Sequence, residues 1–93
     1  MTPEHLAARN SDRAWVWSRT TGQAAEKLLL LAIVERADAR GVCTATTKAL
    51  AADLGVARST VYGLLERLQA RQLLDVVGTP KRFRLRRGQN RPA

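Results

Sequence analysis

The chain has 93 residues and carries 16 Lys and Arg against 8 Asp and Glu, a formal net charge of +8. That length holds one small domain and leaves no room for a separate effector domain or an elaborate active site. So basic a chain points to an acidic polymer as partner, and arginine forks suit phosphates and guanine edges better than lysine does. Charge for solubility alone is the competing reading; the uneven placement of the cations argues against it.

The single cysteine, Cys43, allows no internal disulfide and fits a reducing compartment. A small buried side chain is its expected role. No stretch resembles a signal peptide. The most apolar run, residues 28–34, is too short to span a bilayer.

Residues 1–13 are polar and mixed in charge, and read as a flexible N-terminal arm or the start of a short helix. Trp15 and Trp17 follow at period two, which suits an extended segment laid on the core. Contact with a partner surface, including stacking on nucleic-acid bases, is the alternative. Thr20 and Gln23 have the spacing of a capping box, so the first helix is expected to open at Thr20 and run through Glu26 to about Ala37. Its middle, Leu28, Leu29, Leu30, Leu31, Ile33 and Val34, is apolar nearly all round, which implies burial on more than one side. Either a second subunit or Trp15, Trp17 and the C-terminal strands would cover the extra face.

Residues 38–41 read as a turn, and Val42, Cys43 and Thr44 as a short strand. Thr46 or Thr47 caps a second helix that ends at Leu54, where Gly55 supplies a left-handed residue. A third helix covers about 58–71. Residues 73–77 are β-like, Gly78, Thr79 and Pro80 turn the chain, and residues 81–87 form the returning strand. The basic tail, 88–93, is expected to be disordered. A domain over residues 14–87 results, mainly α with a small β-hairpin.

Residues 50–68 meet several geometric needs at once. Two short helices joined by a tight turn cross steeply, so the first needs a small residue at the crossing, and Ala51 is small. The turn needs a residue tolerant of positive φ and an apolar plug behind it, which Gly55 and Val56 offer. The second helix of the pair must bury one stripe, and Val61, Leu64, Leu65 and Leu68 recur at helical spacing. Leu50 and Leu54 give the facing stripe.

The stretch Leu50-Ala51-Ala52-Asp53-Leu54-Gly55-Val56-Ala57-Arg58-Ser59-Thr60-Val61-Tyr62 resembles the helix-turn-helix of bacterial winged-helix DNA-binding proteins. From Trp15 to Arg87 the arrangement is similar to small bacterial, plasmid and phage regulators and replication-initiator domains. The abundance of Ala and Arg fits a GC-rich genome of that kind. The resemblance implies a winged helix-turn-helix, a three-helix core plus a C-terminal wing, that binds double-stranded DNA. Two positions depart from the pattern. Ala57 stands where Ser or Thr commonly caps the recognition helix, and losing such a cap costs about 1 kcal/mol. Gly63 stands on the outward face of that helix, where it either lets the backbone approach DNA closely or simply removes one base contact.

The resemblance places the N-terminal half of the third helix in the major groove. Arg58 is then the candidate for a guanine edge, with a phosphate as the alternative. Ser59 and Thr60 suit hydrogen bonds to phosphates or bases. Tyr62 suits a phosphate or a thymine methyl, and Lys48 a phosphate. Glu66 repels phosphate unless it accepts from a cytosine amino group. In the wing, Lys81 sits at the tip. Arg82, Arg84 and Arg86 alternate with Phe83 and Leu85, which puts the cations on one strand face and the apolar residues on the other. Protection of an exposed edge strand is the competing explanation for that charge.

Catalysis has little support. His5 is the sole histidine, Cys43 has no histidine near it, the acids show no metal-ligand spacing, and no phosphate loop is present. No metal or cofactor is expected. The leading reading is a cytoplasmic, nucleoid-associated repressor acting as a homodimer, through the apolar first helix or the N-terminal arm. A plasmid or phage replication, partition or transfer factor that binds repeated sites is the near alternative. A winged-helix protein-interaction module is the alternative from another class.

Overall fold

The computed structural model of the chain describes residues 3–18, 23–78 and 81–86. Their order is α1 (Pro3–Ser18), α2 (Ala24–Arg36), β1 (Val42–Cys43), α3 (Thr47–Leu54), α4 (Arg58–Ala70), β2 (Leu74–Val77) and β3 (Arg82–Leu85). The architecture is a winged helix-turn-helix: a mainly helical body with a small antiparallel sheet, to which α1 is an addition.

Of the two readings of the N-terminal segment, flexible arm or helix, the helix is the one the structure takes, from Pro3 onward and longer than the short start expected; Trp15 and Trp17 are helical rather than extended. Val16, between them, is the fully buried residue, while Trp15 is partly buried and Trp17 is 63% exposed. Polar groups do much of the docking. Arg13 pairs with Glu35 on α2. Arg9 donates to the Ala37 carbonyl at 3.3 Å, and His5 Nε2 lies 3.2 Å from the same oxygen. Ala37 is the C-cap of α2, so α1 supplies side chains to a carbonyl that the end of a helix leaves open.

Helix α2 begins at Ala24, later than the capping-box spacing implied. Gln23 holds the N-cap position without a side-chain cap bond, and Thr20 lies outside the described residues. Leu29, Leu30, Ile33 and Val34 are buried, against α3, α4 and the sheet among other neighbours. Leu28 stays 55% exposed.

The helix pair forms as the residue types require. Thr46 caps α3, its hydroxyl accepting from the Ala49 N–H at 3.1 Å. Gly55 is left-handed at φ 71°; its N–H reaches the Ala52 carbonyl and that of Val56 reaches Ala51. Those two bonds make a Schellman ending, which lets the chain reverse with its last carbonyls satisfied. Val56 is 37% exposed, so it closes the turn less fully than an apolar plug would. Helix α4 starts directly at Arg58, with Ala57 as an N-cap that offers no side-chain bond. Val61, Leu64, Leu65 and Leu68 are all buried, together with Leu50 and Ala51 of α3.

The strands run in the order β1-β3-β2, antiparallel throughout. Strand β3 is therefore central, which removes the edge-strand explanation for its charge. Phe83 pairs in register with Cys43 on one side and Val76 on the other. Phe83, Cys43 and Leu74 are buried on the inner face. Among the described residues no helix is long and apolar enough to cross a membrane.

Candidate nucleic-acid interface

Helix α4 turns its buried stripe inward and leaves Arg58, Ser59, Thr60 and Tyr62 exposed. Ala57 supplies no side-chain cap and its carbonyl takes the Thr60 N–H at 3.1 Å, so it is the N–H groups of Arg58 and Ser59 whose partial positive charge an anion can meet. Gly63 is half-buried, and a Cβ built on it meets nothing within 4 Å. No packing need therefore excludes a side chain there.

Tyr62 ties three elements together. Its hydroxyl oxygen accepts from Thr47 Oγ1 of α3 at 3.2 Å, and it interacts with Arg58 one turn earlier in α4. Lys81, just before β3, lies within electrostatic reach. The Thr47 hydrogen bond, then Arg58, then Lys81 hold the phenol below its ordinary pKa, because each favours the anion over the neutral form. Thr47, Tyr62, Glu66 and Lys81 rim a cleft of about 190 Å³ whose apolar lining includes Leu65 and Phe83.

The wing residues separate into groups. Lys81 joins the cleft beside Tyr62. Arg82 and Arg84 are exposed on the sheet face opposite Phe83. Arg86 is held by Asp75 across the hairpin, Nε to Oδ1 at 3.1 Å, with its backbone N–H on the Leu73 carbonyl. Thr79, Pro80 and Arg87, expected at the wing tip and strand end, lie outside the described residues. Lys48 is exposed near the start of α3. None of Lys48, Arg58, Lys81, Arg82 and Arg84 forms a salt bridge with an acid of the described residues.

Sequence reasoning considered Thr47 only as a cap. Thr46 takes that role, which frees the Thr47 hydroxyl for Tyr62. It also missed Asp75, because its pairing with Arg86 depends on strand register. Cys43 is fully buried, and burial pushes its thiol pKa up. Among the described residues no three His, Cys, Asp or Glu come together in a way that could hold a metal ion.

No curated protein and no solved structure matches the chain. A family model does: the helix-turn-helix domain matches residues 23–74, over half of the chain, from the cap of α2 to the first residue of β2. That match covers the helix pair and the exposed face of α4, and points to DNA as what this face meets. The chain belongs to the helix-turn-helix domain family.

Proposed function

We propose that this protein is a sequence-specific double-stranded DNA-binding protein that represses transcription by occupying an operator. Helix α4 enters the major groove, with Arg58, Ser59, Thr60 and Tyr62 toward the bases and nearby phosphates and Gly63 allowing close approach. Lys48, Lys81, Arg82 and Arg84 hold the backbone. Arg86 mainly braces the hairpin through Asp75. The observation that carries this reading is the exposed face of α4, flanked by cations that form no salt bridge with an acid of the described residues. The protein acts without catalysis or cofactor, at the nucleoid in the cytoplasm.

A second copy is proposed at α2, where Leu28, Leu31, Ala32 and Leu54 line an open apolar hollow. Two copies would engage two half-sites, the usual route to useful affinity in such proteins. Light scattering with a Leu28→Lys variant tests this, with a monomer as the expected outcome.

Selection of bound sequences from a random duplex pool, followed by a gel shift, tests the main reading. A palindrome supports the repressor. Iterated direct repeats support a replication, partition or transfer factor instead. No shift at low salt turns the reading toward a protein-interaction module.

A further inference from the structure

Tyr62 is 43% exposed, yet its phenol oxygen is not left to solvent alone. Thr47 Oγ1 donates to it from the first turn of α3. Arg58 and Lys81, the other groups acting on it, carry donors and no acceptor. With Thr47 donating to the oxygen, the phenol's own hydrogen is available to an acceptor outside the protein. The surroundings at the cleft mouth are thus two cations and a hydroxyl donor, a set that an anionic oxygen completes. Glu66 lines the same cleft one turn further along α4 and repels anions there, which keeps such a group at the mouth.

We propose that Thr47 is a positioning residue for DNA binding: it holds Tyr62 so that the phenol donates to one backbone phosphate, which Arg58 and Lys81 hold as well. The proposal rests on the DNA-binding reading above and makes Tyr62 a phosphate donor rather than a reader of thymine methyl groups. Helix α3 thereby acts on the recognition surface through a side chain of α4. The lowered pKa of the phenol agrees with this, since a more acidic hydroxyl is a better donor.

The test measures binding of the full chain to a short labelled duplex of mixed sequence at low salt, by fluorescence anisotropy. Thr47→Val removes the donor and keeps the shape; it is expected to weaken binding roughly fivefold, the scale of one hydrogen bond. Thr47→Ser restores the donor and stays within about twofold of the parent. Tyr62→Phe weakens binding by a similar factor, and adding Thr47→Val to it costs nothing more, because the two act through one contact. The chain has one tyrosine, so ultraviolet titration reads this phenol alone. Its pKa rises in Thr47→Val and not in Thr47→Ser, a change that disturbance of α3 alone would not produce; the non-additive double variant then ties that bond to DNA binding. Should Thr47→Val disturb the start of α3, Thr47→Ala takes its place. Unaltered binding by Thr47→Val or its replacement Thr47→Ala, additive losses in the double variant, or an unmoved phenol titration overturns the proposal. In those cases the parent still binds duplex and the DNA reading stands; a parent that binds no duplex removes both.

Discussion

The side of the molecule built from α1, α2 and α3 and the side built from α4 and β3 handle charge in opposite ways. On the first, with Lys48 near the start of α3 as the exception, arginines meet carboxylates: Arg13 meets Glu35, and Arg36 grips Asp53 with two bonds of 2.6 and 2.9 Å. Between those two pairs the apolar hollow at Leu28 opens. On the second, Arg58, Lys81, Arg82 and Arg84 have no acid of the described residues within ion-pair distance, and Glu66, which lines the cleft with Tyr62 and Lys81, forms no salt bridge. Paired charges on the first side cancel at long range and leave a surface suited to another protein surface. Unpaired cations keep their field, attract a polyanion and release its counterions on contact. The net charge of +8 is therefore not spread as a general aid to solubility.

The largest expected effect comes from what both sides share. Phe83 is buried beneath the basic face and pairs with both neighbouring strands. Phe83→Ala should cost about 3–5 kcal/mol of folding stability, measured by urea unfolding, and a much smaller loss would show that the sheet is not integral to the core. Next in size, alanine at Lys81, Arg82 and Arg84 together should reduce DNA affinity by roughly a hundredfold with the melting temperature little changed. If about six phosphates are contacted, the slope of log affinity against log salt should move from roughly −5 toward −3. The same treatment of Arg13 and Arg36 should leave that slope alone; equal slopes for the two sets would erase the contrast.

Gly63→Ala separates stability from binding. The added methyl meets nothing, so the helix should gain up to about 1 kcal/mol. DNA affinity should fall if the backbone approaches the groove there, as competition binding would read. The smallest effect belongs to the paired side. Glu35 and Asp53 are held below their ordinary pKa, chiefly by hydrogen bonds from Arg13 and Arg36. A depressed carboxylate contributes stability that is present at neutral pH and fades as pH falls through the lowered values. Both pairs are partly exposed, so the contribution is modest. Asp53→Asn should flatten part of the acid limb of a melting-temperature profile and leave DNA binding untouched.

What the sequence revealed and what it hid follow one physical division. Thr46, Gly55 and the stripe Val61, Leu64, Leu65 and Leu68 act within a few residues of themselves, through caps, backbone sign and helical period, so they are legible without a fold. The extent of helix α1, through Trp15 and Trp17, was hidden because its inward face is largely polar. His5, Arg9 and Arg13 dock it onto groups of Ala37 and Glu35, and no apolar period announces that. The place of β3 was hidden for a different reason. Its second neighbour, β1, has two residues and lies about forty positions earlier in the chain. The candidate interface divides in the same way. Arg58 and Tyr62 follow from the helix face, whereas the Thr47 bond to Tyr62 and the Asp75 hold on Arg86 need contacts between elements.

The central position of β3 bears on how the chain is made. The family match ends at Leu74, before β3 begins, and the last described core strand closes only at Leu85. As synthesis proceeds from the N-terminus, α2, α3 and α4 emerge with their buried stripes lacking Phe83, and β1 waits for a partner that has not yet been added. Closure is a late and non-local event, for which helices formed earlier must hold their place. A ribosome stalled with residue 74 just exposed should carry a protease-sensitive chain, and one advanced past residue 86 a resistant one.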